Sequence, residues 1–175
     1  MRMLWPTFLA TNVPSAQPGP AIVASAPAAR RLPVWRVVVP VLERDVRIPI
    51  LLPSRLPGVK AAENVFGPPS MYSHVLVASP KTYIVTLGAP GCHGAHACTG
   101  ADVSGGLATM PIGKPIALAR GITGVFVAAT CGANCGDATI AWRSHGIIYA
   151  IGENVGRLSS LLPSANSAIV NGPLR

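Results

Sequence analysis

Carboxylates are scarce in this chain: six of its 175 residues are acidic, namely Glu43, Asp45, Glu63, Asp102, Asp137 and Glu153. None of them stands in a recognisable catalytic motif, and there is no G-x-S-x-G elbow, H-E-x-x-H pair, P-loop or G-x-G-x-x-G turn. These absences favour a non-enzymatic protein. Aromatic residues amount to 5%, and no apolar run is long: Val37-Val38-Val39 stops at Pro40, far short of the roughly 20 residues of a membrane-spanning helix. No repeat of 20–50 residues is visible, which argues against a solenoid or propeller.

What the chain does have is apolar content and punctuation. Half of the residues are hydrophobic, 11% are charged and the mean hydropathy is +0.45, which argues against a solvated disordered chain. Eighteen glycines and 18 prolines are too many for a helical bundle. Fourteen basic residues give a formal charge of +8 and a pI near 10.1, a balance that favours polyanions. The cations are dispersed, however. Arg30-Arg31 is the only adjacent pair, and neither an aromatic platform nor an Arg-rich helix accompanies them, so nucleic acid is a disfavoured partner.

Two regions differ in texture. Residues 1–30 are rich in Ala, Pro and Ser without sustained periodicity and read as a leader or tail. Met1-Arg2-Met3, the apolar stretch Leu4 to Ala10 and the small residues Ala26-Pro27-Ala28 follow the order of a secretory signal. Residues 31–175 read as a single α+β domain. Val34–Val39 is β-branched and predicts a strand. Ile48–Leu52 predicts an edge or irregular strand, because Pro49 cannot donate to a ladder. Pro53–Gly58 is a predicted turn, followed by loop up to Ser70.

Farther on, His74–Ala78 and Thr82–Leu87 flank Ser79-Pro80-Lys81 as a hairpin. Pro115–Arg120, Thr123–Ala128, Ala138–Trp142 and Ile147–Ile151 add strands with short Gly-containing connectors. The single predicted helix lies at the end, where Leu158, Leu161, Leu162, Ala165, Ala168 and Ile169 recur at three and four. Ser159 or Ser160 would cap it, Pro163 would fall in its first turn, and Asn171-Gly172-Pro173 would end it. The expected fold is an antiparallel sheet of six to eight strands with this helix packed on one face and two cysteine-clamped loops.

The four cysteines are the most informative residues. Cys92 with Cys98 and Cys131 with Cys135 form two close pairs in Gly/Ala-rich loops. An even count in a chain with an export-like leader reads as two disulfides, for which three connectivities exist. Local pairing is preferred, because neighbouring cysteines in Gly-permissive loops meet without long-range constraint. The competing reading is a zinc site drawn from Cys92, His93, His96, Cys98, Cys131 and Cys135. Its spacing is poor: zinc knuckles separate paired ligands by about two to four residues, which the second pair satisfies and the first does not. Replacing Cys98 by His96 repairs the first pair but leaves a cysteine spare. The second pair also lacks the two-residue spacing of a thioredoxin-like redox centre.

The remaining candidates have structural readings first. Asp102 near His93 and His96 suits a solvated or turn-forming loop group, with a catalytic base pair as the lesser reading, and Asp137 a turn before a strand. Trp142 and Tyr149 suit core anchors, with ligand stacking on a carbohydrate or peptide as the lesser reading.

By Cys131-Gly-Ala-Asn-Cys135, Ile140-Ala-Trp142, Gly146-Ile-Ile-Tyr149 and Leu161-Leu-Pro-Ser-Ala-Asn-Ser-Ala168, the chain resembles uncharacterised exported bacterial proteins over roughly residues 48–169. More distantly, it is similar to a domain of unknown function found in bacterial lipoproteins and anti-sigma-factor ectodomains. The resemblance implies no catalytic residue, and this chain has no lipobox cysteine near its N-terminus. The expectation is therefore a periplasmic or extracellular, disulfide-stabilised binding domain without a cofactor. Its partner would be a cell-envelope protein or glycan. The alternatives are a zinc or thiol enzyme and a polyanion binder.

Overall fold

The structure is a computed structural model, and it describes residues 32–56, 72–89, 91–92, 98–131 and 135–174. A 3-10 turn at Pro33–Trp35 leads into α1 (Val39–Asp45). Among the described residues seven strands follow: β1 (Tyr72–Ser79), β2 (Thr82–Gly88), β3 (Thr99–Gly105), β4 (Lys114–Ala117), β5 (Thr123–Val127), β6 (Asp137–Ser144) and β7 (Ile147–Asn154), and after them α2 (Leu158–Asn171).

All seven strands belong to one antiparallel sheet in the order β1-β2-β3-β7-β6-β5-β4. Two meanders, β1 to β3 and β4 to β7, are thus joined where β3 pairs with β7. The expected α+β architecture, with a C-terminal helix on the sheet, is what the chain adopts.

Alternation sorts the side chains of the sheet. One face carries Val85, Val103, Ile151 and Ile140 in a cross-strand row, with Tyr83, Tyr149 and Trp142 in the next. All seven are buried. Burying such side chains stabilises by roughly 1.5–3 kcal/mol each. α2 lays Leu161, Ala165, Ala168 and Ile169 on this face over β6 and β7. Toward β1 the same face is covered by Trp35, Val38, Leu42 and Val46.

That last set corrects the strand predicted over Val34–Val39. Trp35, Val38, Leu42 and Val46 recur at three and four, so a helical stripe lay inside the β-branched run. Pro33 and Pro40 sit at the start of their helical turns, where a missing N–H forfeits no intrahelical bond.

Residues 48–53 form no strand either, although several are buried. Side chains satisfy their backbone in place of a ladder. The Tyr83 hydroxyl accepts from Leu51 N–H and donates to Leu51 C=O, both at 3.0 Å. Tyr149 donates to Pro49 C=O at 3.0 Å, and the Trp35 indole to Pro53 C=O at 2.9 Å. Burial pushes both phenols upward, Tyr149 to about 12, so they remain donors at any physiological pH.

Three further differences are local. β4 ends at Ala117, and Ala119–Gly121 is a 3-10 turn in place of the last residues of the predicted strand. β3 was not expected, since Gly, Asp and Ser dilute its apolar residues. α2 starts one residue before the expected caps, so Pro163 lies inside the helix and not in its first turn. There it leaves the Ser159 carbonyl without its helical donor. Neither expected serine is the N-cap, which is Arg157; Ser160, in the first turn, accepts from Arg157 N–H at 3.2 Å and donates to the Glu153 carboxylate. Gly172, at φ 69°, ends the helix as expected.

Candidate functional site: the disulfide-clamped end of the sheet

Antiparallel pairing decides where the cysteine loops lie. The first loop joins the end of β2 to the start of β3, and the second joins the end of β5 to the start of β6. β7 runs between β3 and β6 and ends at Asn154, which pairs with Asp137 at the start of β6. Asn154 also donates to the Thr99 carbonyl at the start of β3, 3.4 Å away. Both loops therefore emerge from one end of the sheet. The β2–β3 and β5–β6 pairs that carry them are centred three strand spacings apart, about 14 Å.

Each loop is closed locally. Cys92 and Cys98 are bonded with Cα atoms 5.7 Å apart, and Cys131 and Cys135 with Cα atoms 4.0 Å apart. Ala89 N–H donates to Cys98 C=O at 3.2 Å, and Gly136 N–H to Thr130 C=O at 2.7 Å, fixing the loop bases to their strands. The preferred connectivity is the one observed. All four sulfurs are thereby bonded to each other, and a zinc or thiol site would require the reduced chain. His93 and His96 lie outside the described residues.

Between the loops stands the turn after β7. Val155 has φ 51°, a left-handed conformation that a β-branched residue adopts at a cost of roughly 1–2 kcal/mol, and its side chain is 57% exposed. A strained, exposed apolar residue thus sits beside two covalently clamped loops. No property of the sequence marks Val155; its position emerges from the pairing of β3, β7 and β6.

Asp102 is not a loop residue. It lies in β3 on the face away from α2, in a row with Thr86 of β2 and Gly152 of β7. Gly152 leaves room for it, since a Cβ there would fall 2.1 Å from the Asp102 carboxylate and push it aside. Burial, reinforced by the charge of Asp137, pushes Asp102 up to about 6. The signal for its placement was the alternation Ala101, Val103 against Asp102, Ser104, masked by small residues.

Trp142 and Tyr149 are brought together on the core face, stacked with centroids 5.8 Å apart and both buried. Among the described residues no group of three or more His, Cys, Asp or Glu side chains could hold a metal, and no helix is long and apolar enough to cross a membrane. Comparison with protein-family models, curated proteins and solved structures gives no match to this chain.

Proposed function

We propose that the protein is an exported, non-enzymatic binding module whose contact surface is the disulfide-clamped end of the sheet. The observation that carries this reading is Val155, held strained and exposed between two disulfide loops. Strain of this kind persists where surrounding structure enforces it, and it concentrates at contact sites. Loops positioned by a rigid sheet are where recognition is usually located. The disulfides and the resemblance to exported bacterial proteins support a periplasmic or extracellular setting, with an envelope protein or glycan as partner.

Site-specific photo-cross-linkers at Thr130, on the clamped end, and at Ser144, at the opposite end of β6, test the proposal in the producing cell. A discrete adduct from Thr130 alone is expected. Equal labelling from both positions, or none from Thr130, overturns it. Stoichiometric zinc with reduced cysteines would install the metal reading instead, and salt-sensitive retention on heparin the polyanion one.

A further inference from the structure

A second surface is independent of the clamped end. Between residues 54–55 and the outer side of α2 lies an open groove of about 480 Å³, within the range of small-molecule sites. Leu162, Pro163 and Val170 supply its apolar lining. Among its lining residues the only formal charge is the positive one of Arg55.

The Ser167 hydroxyl is fully engaged: it accepts from Ser54 N–H and Arg55 N–H, each at 3.1 Å, and donates to Ser164 C=O at 2.8 Å. Asn166 accepts from Ala119 N–H through Oδ1 at 2.7 Å. A backbone N–H demands an acceptor, so this contact fixes the amide orientation and leaves Nδ2 as a spare donor. Asn171 Nδ2 is buried without a partner. Arg55 is exposed, and no carboxylate pairs with it among the described residues.

Asn166 Nδ2 and the Arg55 guanidinium are therefore donors open to a ligand, beside the Ser54 hydroxyl, which can donate or accept. No acidic residue lines the groove, and α2 contains none. Nearby Arg120 is committed elsewhere, donating to the Val170 carbonyl at 2.8 Å.

We propose that this groove binds a carboxylate carrying a short apolar chain. The carboxylate meets Arg55 and the Asn166 amide, and the chain lies on Leu162 and Val170. Two sources share that chemistry, a free short-chain acid and the C-terminus of a peptide ending in an apolar residue.

Calorimetric titration of the intact protein with four probes tests this: hexanoate, hexanamide, N-acetyl-leucine and N-acetyl-leucinamide. At least one acid should saturate a single site with a dissociation constant on the order of 1 mM, as expected for so few ligand atoms. Its amide should bind about tenfold more weakly, because a charge-assisted pair becomes a neutral one. Arg55→Gln should weaken the acid about tenfold, while Arg55→Lys should retain most of the affinity. Since Arg55 is exposed, neither substitution disturbs the core.

Tighter binding of hexanoate assigns a free acid, and tighter binding of N-acetyl-leucine assigns a peptide terminus. Three results overturn the proposal: no saturation by either acid up to about 10 mM, equal binding of acid and amide, or Arg55→Gln without effect.

Discussion

Replacing Asp102 by Asn tests the electrostatics of the sheet face away from α2. Burial, reinforced by the charge of Asp137, pushes the wild-type carboxyl from its ordinary 3.8 up to about 6. The folded protein therefore binds more protons than the unfolded chain between those values, and stability must fall as pH rises through that window. A displacement of about two units corresponds to about 3 kcal/mol, at about 1.4 kcal/mol per unit. That penalty is absent below pH 3.8, develops up to pH 6 and is complete at pH 7. Asp102→Asn keeps the shape and removes the charge. It should raise stability at pH 7 by up to about 3 kcal/mol relative to wild type, and the gain should shrink toward zero near pH 4. Urea denaturation from pH 4 to pH 8 reads both curves under one protocol, with buffers matched in ionic strength. A variant less stable than wild type at pH 7, or a difference independent of pH, refutes the assignment of a buried, proton-binding carboxyl.

Other outcomes follow from the same contacts. Tyr83→Phe leaves both the N–H and the C=O of Leu51 unpaired in the core and should cost about 2–4 kcal/mol in chemical denaturation, more than Tyr149→Phe, which strands one carbonyl. Val155→Gly relieves the left-handed strain and should stabilise the protein by about 1 kcal/mol while reducing cross-linking from Thr130, so unchanged cross-linking would remove Val155 from the contact surface. Replacing either cysteine pair by serines should cost about 2 kcal/mol, since both loops are short, and a loss near 5 kcal/mol would show that the loops anchor the sheet.

Local pattern disclosed much of this architecture. The hairpin around Pro80, the run from β5 to β7 and the C-terminal helix announce themselves through alternation, short Gly-containing turns and a three–four period. His145 and Gly146 show why the last hairpin was legible: both have positive φ, as a two-residue turn between twisted strands requires.

Elements governed by distant partners were harder to read. α1 hid because a run of valines has strand propensity, while its helical stripe acquires meaning only against the sheet. The Ile48–Pro53 stretch carries two prolines and no ladder, and it is buried because hydroxyl and indole groups from residues far away in sequence satisfy its backbone. β3 is central but composed of small and polar residues, so only its pairing with β2 and β7 identifies it. The cysteine pairing was readable from proximity in sequence. That both loops share one end of the sheet depends on the β3–β7 pairing, which no local pattern encodes.

The most direct test of the account is a count of free thiols by alkylation and intact mass, after non-reducing denaturation of protein purified from the cells that make it. Denaturation releases any metal-bound thiolate, so the count reports the covalent state alone. No alkylation is the predicted result, with both loops closed by disulfides as an exported binding module requires. Four alkylations would contradict it, returning His93, His96 and the cysteines to a metal or thiol site.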